Sequence, residues 1–225
     1  MNCEDLVKLT VTKMNQAKVD SDRSYMIKYM KDHFDFFGVK SPKRKEVQKS
    51  LKPFWKDLSN GEIFSYAEAL WQLPQRELQY VALDALGLRS KKFDKSYLPR
   101  IEKLIVTKSW WDTVDGLAPN IAGAIFIKDH ESRMDWVQKW NDSDNMWLNR
   151  SALLHQLRYK DNVNLDMLFR FVISHIDSKE FFINKASGWA LRQASKFYPN
   201  EIKSFIFSQP NLSNLTKREG SKYLN

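Results

Sequence analysis

Lys108-Ser109-Trp110-Trp111-Asp112-Thr113-Val114-Asp115 opens a segment in which apolar side chains recur at helical rather than strand spacing. At about 100° per residue, Trp110, Val114, Leu117, Ile121 and Ile125 share one apolar arc, and Trp111 and Asp115 stand together roughly 100° from its centre. The spacing predicts a helix over 109–127 with Trp110 in the core. An indole beside a carboxylate off the buried face suits a flat, positively charged group. A half-packed tryptophan beside a solvated aspartate has the same spacing, so both readings stand at this level.

Working outward, the aromatic that opens this segment has counterparts. Trp71, Trp110, Trp147 and Phe182 follow one another at separations of 39, 37 and 35, and Ala82, Ala118, Ala152 and Ala186 at 36, 34 and 34. Helical periodicity predicts further helices near 61–72, 74–88, 96–107, 131–141, 145–159, 162–176, 179–198, 200–207 and 216–223. Helix pairs repeating at this period predict an all-α chain, an α-solenoid of HEAT-like repeats forming a single domain over 1–225, with a concave basic surface. A compact helical bundle is the alternative.

The N-terminal third is less regular. Residues near 3–17 read as a first helix, Asp20-Ser21-Asp22 as a polar turn, and Arg23 to Phe36 as a second helix ended by Gly38. Ser41-Pro42 reads as the N-cap and first turn of a third helix. Lys43, Arg44 and Lys45 then carry the wrong charge for the positive end of a helix dipole, which a docked phosphate would correct. Three solvated cations are the equally simple reading.

With 36 Lys and Arg against 27 Asp and Glu, the chain carries +9, which favours polyanionic partners. In the segment 179–198, Phe182, Lys185, Trp189, Arg192 and Lys196 fall within a stripe of roughly 80°, opposite Ile183, Ala190, Leu191, Ala194 and Phe197. Lysine and arginine neutralise phosphates, and aromatics contact sugar or base faces. Trp147, Arg150 and Arg158 repeat the theme one unit earlier. The lone Cys3 excludes an internal disulfide and fits a reducing compartment. His33, His130, His155 and His175 lack metal-ligand spacing, and no P-loop or dinucleotide fingerprint is present. No apolar run is long enough for a signal peptide or membrane span, so a cytoplasmic protein without membrane contact is expected.

Three blocks carry a resemblance: Lys108 to Asp115; Ser143-Asp144-Asn145-Met146-Trp147-Leu148-Asn149-Arg150; and Lys179-Glu180-Phe181-Phe182-Ile183-Asn184-Lys185-Ala186-Ser187-Gly188-Trp189-Ala190-Leu191-Arg192. They resemble the blocks of the AlkD family of HEAT-like repeat DNA glycosylases. The match runs in order from Tyr29-Met30-Lys31-Asp32-His33-Phe34 to Leu215-Thr216-Lys217-Arg218-Glu219. The resemblance implies a DNA repair enzyme that excises cationic alkylpurines such as 3-methyladenine and 7-methylguanine from duplex DNA by N-glycosidic hydrolysis, without flipping the base. It implies Asp115 as the catalytic carboxylate, and Trp111 and Trp189 as the indoles cradling the sugar. It also implies DNA contacts from Tyr29, Ser41, Lys45, Arg150, Arg158, Phe181, Phe182, Lys185 and Arg192. No metal or organic cofactor is called for, and a monomer is expected.

Lys40, Ser41, Lys45 and Arg158 depart mildly from the family's usual polar types, and 14–24 matches poorly. Asp20 and Asp22 there would repel phosphates, which keeps open a family paralogue that holds DNA weakly and excises little. A HEAT-type protein scaffold with an apolar concave surface is the remaining alternative.

Overall fold

A computed structural model describes residues 2–224. Among them the secondary structure is helical, with one isolated bridge between Asp35 and Gln75. The chain divides into two compact units, one ending at Phe93 and one beginning at Asp94.

The first unit contains α1 (Cys3–Gln16), α2 (Asp20–Tyr29), α3 (Ser41–Asp57), α4 (Asn60–Gln72) and α5 (Arg76–Arg89). Its core is closed by Leu6 and Met14 of α1, Leu51 and Trp55 of α3, Phe64, Leu70 and Trp71 of α4, and Val81 and Ala85 of α5, all fully buried. A hydroxyl pair inside it is satisfied. Thr10 donates to the Leu6 carbonyl and meets the Tyr66 hydroxyl at 2.7 Å. Burial pushes the Tyr66 phenol up to about 12.

The expected bounds of the second and third helices change here. The second helix starts at Asp20, where acids suit the positive end of the dipole, and stops at Tyr29 rather than Phe36. Lys31 and Asp32 adopt left-handed backbone, φ 57° and 60°, which turns the chain out of the helix with no glycine to announce it. Gly38 does take a positive φ, 85°, but inside the loop before α3, where any Cβ would collide with the Val19 carbonyl. That loop is held by Glu77, whose buried carboxylate accepts from the backbone N–H groups of Phe37, Gly38 and Val39 at 2.9–3.1 Å. The N-cap of α3 is Lys40, and Ser41 is already helical.

The second unit pairs helices: α6 (Leu98–Val106) with α7 (Trp111–Leu117), which continues through a π turn, Ala118–Ala122, into α8 (Gly123–Phe126). Pro119, which has no N–H to give, lies in that widened turn. Next come α9 (His130–Asn141) with α10 (Met146–Leu154), α11 (Leu165–Ser174) with α12 (Phe181–Ala194), and α13 (Pro199–Ser208) with α14 (Asn214–Gly220).

The predicted repeat is visible in the hydrogen bonds joining successive pairs. Trp140 donates to Glu102, Tyr159 to the Gly123 carbonyl, Ser174 to Asn141 and Thr216 to the Asn184 carbonyl, at separations of 38, 36, 33 and 32 residues. Each pair therefore ties itself to its neighbour about one period away, as stacked helical repeats must. Ala82, Ala118, Ala152 and Ala186 are all buried, as packing positions at that spacing should be. No helix among the described residues is long and apolar enough to cross a membrane.

Candidate active site

The site is built on the helix starts of the second unit. Trp110 is the N-cap of α7 and adopts extended backbone, φ −159°. This takes it out of the helical phase that placed it in the core, and it is half-buried instead. It packs against Trp147 of α10 and Phe182 of α12 at ring-centroid distances of 5.6 and 5.1 Å, and those two lie 5.1 Å from each other. Three aromatics read as the openers of successive repeats thus meet in one cluster.

Asp115 lies one turn after Trp111 on α7, and across from it stands Arg150 of α10. The Arg150 Nε and Nη2 groups donate to the two carboxylate oxygens of Asp115, both at 2.8 Å, while Nη1 donates to the Phe182 carbonyl. The Arg150 side chain is 3% exposed and that of Asp115 16%. Planar two-point pairing is geometry that a guanidinium provides and an ammonium does not. Burial pushes the Asp115 carboxyl above the ordinary aspartate range, and Arg150 opposes that push. A buried ion pair costs desolvation, and the third guanidinium N–H, donated to the Phe182 carbonyl, recovers part of that cost.

Arg150, which the resemblance implies at the DNA, is paired with the Asp115 carboxylate in this structure. Its separation from Asp115, 35 residues or one repeat, was the signal that could have paired them.

The structure brings Asp115, Arg150 and Phe182 together with Trp110 and Trp147. Trp189 is half-buried on α12, two turns beyond Phe182, and takes no part in this cluster. The Lys185 and Arg192 cations of the predicted stripe converge on Glu219 of α14, each at 2.8 Å, and Lys222 joins them at 3.0 Å. Glu219 was not singled out as a functional residue. Its carboxyl is lowered to about 2, first by the hydrogen bond from Lys185. Gly188 permits this convergence, since a Cβ there would stand 2.6 Å from the Glu219 Cβ.

Arg158 and Phe197, read as helical, lie beyond the ends of α10 and α12. Arg158 is exposed and donates to Asn120, and Phe197 is 44% exposed rather than packed on the apolar side. Phe181 is 58% exposed. In the first unit, Tyr29 is exposed and stacks on Tyr25 with centroids 6.3 Å apart, and Ser41 and Lys45 are exposed. Asp22 pairs with Lys40 at 2.7 Å and Asp20 with Lys18 at 2.8 Å, so the two acids expected to repel phosphate are both neutralised.

The imidazole of His155, 1% exposed, is held to about 3 by burial, so it is neutral at physiological pH and unsuited to charge stabilisation. Among the described residues no group of three or more His, Cys, Asp or Glu side chains is arranged to hold a metal ion.

An all-α stack of helix pairs presenting a buried, arginine-held carboxylate beside clustered aromatics defines the class of protein. The chain belongs to the DNA alkylation repair enzyme family, whose model matches residues 11–224. A predicted DNA alkylation repair enzyme from Enterococcus faecalis is similar at 32% identity, covering 92% of this chain and 96% of its own, with a TM-score of 0.85. The fold is shared with AlkD2 from Streptococcus mutans, at 20% identity, 81% and 90% coverage and a TM-score of 0.61. It is also shared with the smu.31 protein of Streptococcus mutans UA159, at 18% identity, 90% and 99% coverage and a TM-score of 0.62. No curated protein matches the chain.

Proposed function

We propose that the protein is a DNA glycosylase that hydrolyses the N-glycosidic bond of cationic alkylpurines, 3-methyladenine and 7-methylguanine, in duplex DNA without flipping the base. The observation that carries this is the Asp115 carboxylate, fixed at both oxygens by Arg150 at 2.8 Å in a mostly buried site. An alkylated purine already bears a positive charge. When the C1′–N bond breaks, the bonding electron pair leaves with the base and neutralises it, and the positive charge passes to the deoxyribose. A preorganised anion facing that sugar stabilises it most where the charge develops, which is worth about 3–4 kcal/mol of barrier. Water then bonds to C1′ and gives its proton to the carboxylate, which releases it to solvent. Arg150 keeps the carboxylate from rotating away, while Trp111 and Trp189 offer indole faces to the sugar and the cationic base.

Tyr29, Ser41, Lys45, Arg158, Phe181 and Phe182 are assigned to DNA contact, with Lys185 and Arg192 contributing the residual positive charge of the Glu219 cluster. Both units act within one functional domain, as a monomer and with no cofactor, in the cytoplasm. The neutralised Asp20 and Asp22 favour this reading over a family member that engages DNA poorly.

The reaction requires ionised Asp115, and burial raises its pKa. The single-turnover rate of 7-methylguanine release, corrected for spontaneous loss, should therefore climb with pH and level off, with a midpoint above the ordinary aspartate range. A profile flat from about pH 4 to about pH 8 would remove Asp115 from the role given to it.

A further inference from the structure

The third helix carries a charge pattern of which the assigned DNA contacts include only the first residue, Lys45. Lys45, Lys49, Lys52 and Lys56 occur at intervals of four, three and four residues, which places them within about 60° of one another on α3. All four are exposed, and among the described residues none of their ammonium groups has an ion-pair partner. This contrasts with Lys8, Lys18, Lys40 and Lys43, each of which is held by a carboxylate. The acids of the same helix stand off the lysine face. Glu46 is engaged by Lys43 at 3.0 Å, and Glu46 and Asp57 both lie about 100° round from the centre of the stripe.

The stripe also borders a cavity of about 390 Å³ between α3 and α5, lined by Lys45, Lys49 and Lys52 on one side and Asp84 and Leu88 on the other. Asp84 is the carboxylate that faces it, and its Oδ2 accepts from Gln48 at 2.8 Å while its charge also acts on the half-buried Arg44 beside it. Like charges held a helical turn apart repel one another by a few tenths of a kcal/mol per pair. Four of them without ion-pair partners over eleven helical steps, about 16 Å of helix, mark a surface suited to a linear polyanion. Along a DNA strand that length offers on the order of five phosphates.

Resting on the reading above of a DNA-acting protein, we propose that the α3 lysine face is a phosphate-backbone track for duplex DNA, extending well past Lys45 and recognising the duplex whether or not it carries a lesion. Its residues bind charge and read no base.

The test is fluorescence anisotropy of an undamaged labelled duplex titrated with the full chain over a series of salt concentrations. The variants compared are Lys49→Gln/Lys52→Gln/Lys56→Gln and, as a control of equal charge change at lysines given no part in DNA contact, Lys8→Gln/Lys95→Gln/Lys139→Gln, with circular dichroism melting to show that each is folded. For every phosphate that a variant no longer neutralises, the slope of log K against log salt should fall in magnitude by about 0.9, so the α3 variant should lose about 2.7 and the control little. Wild-type binding with an unchanged slope in the α3 variant would overturn the track alone, as would an equal loss in the control, which would reduce the effect to net charge. A wild type that binds no duplex would overturn the track and the DNA reading together.

Discussion

Asp115→Asn is expected to lower single-turnover release of 7-methylguanine by about 10²–10³-fold, the loss that follows when one preorganised electrostatic group is removed from a transition state. The substitution keeps the shape and one acceptor for Arg150 but removes the charge. Because the Arg150 side chain is 3% exposed, its guanidinium is then left buried without a counter-ion. Breaking a buried pair by removing one partner costs about 3–5 kcal/mol, and the retained amide oxygen should hold the loss to the lower part of that range. Melting curves taken beside the kinetics separate the two effects. A folded variant that keeps wild-type release would contradict the assignment.

The second large effect concerns stability. Glu219→Ala should destabilise the protein by about 3 kcal/mol and lower Tm by on the order of 10 °C, read by thermal melting. Glu219 is 3% exposed and gathers Lys185, Arg192 and Lys222, whose side chains are 35%, 19% and 46% exposed. The two lysines are screened by solvent, so the Arg192 ion pair and the packing of α14 on α12 decide the magnitude. The carboxyl lies below its ordinary value, at about 2, so its contribution is complete above the unfolded-state pKa and is lost as pH falls toward that value. A variant that melts with the wild type at neutral pH would show the cluster to be a surface feature.

Helical repetition was legible because it is enforced locally. An aromatic that joins one cluster and a small residue that is buried recur at about one period, in Trp110, Trp147 and Phe182 and in Ala118, Ala152 and Ala186. What escaped the sequence depends on partners distant along the chain. The stripe on α12 reads as free positive charge until α14 folds back and sets Glu219 beneath it. Arg150 reads as a phosphate ligand until the stacking of α10 on α7 points it at Asp115. The end of α2 was missed for a local reason, since Lys31 and Asp32 enter the left-handed region without glycine or proline to signal it. The resemblance supplied the site residues, and the geometry supplied their partners, Arg150 for Asp115 and Glu219 for Lys185 and Arg192.

The most direct test of the central claim is product analysis after one turnover on a duplex carrying a single 7-methylguanine. The account predicts free 7-methylguanine and an abasic site in equal amounts, formed well above the spontaneous rate by the wild type and near it by Asp115→Asn. Release indistinguishable from buffer with the folded wild-type protein would contradict it.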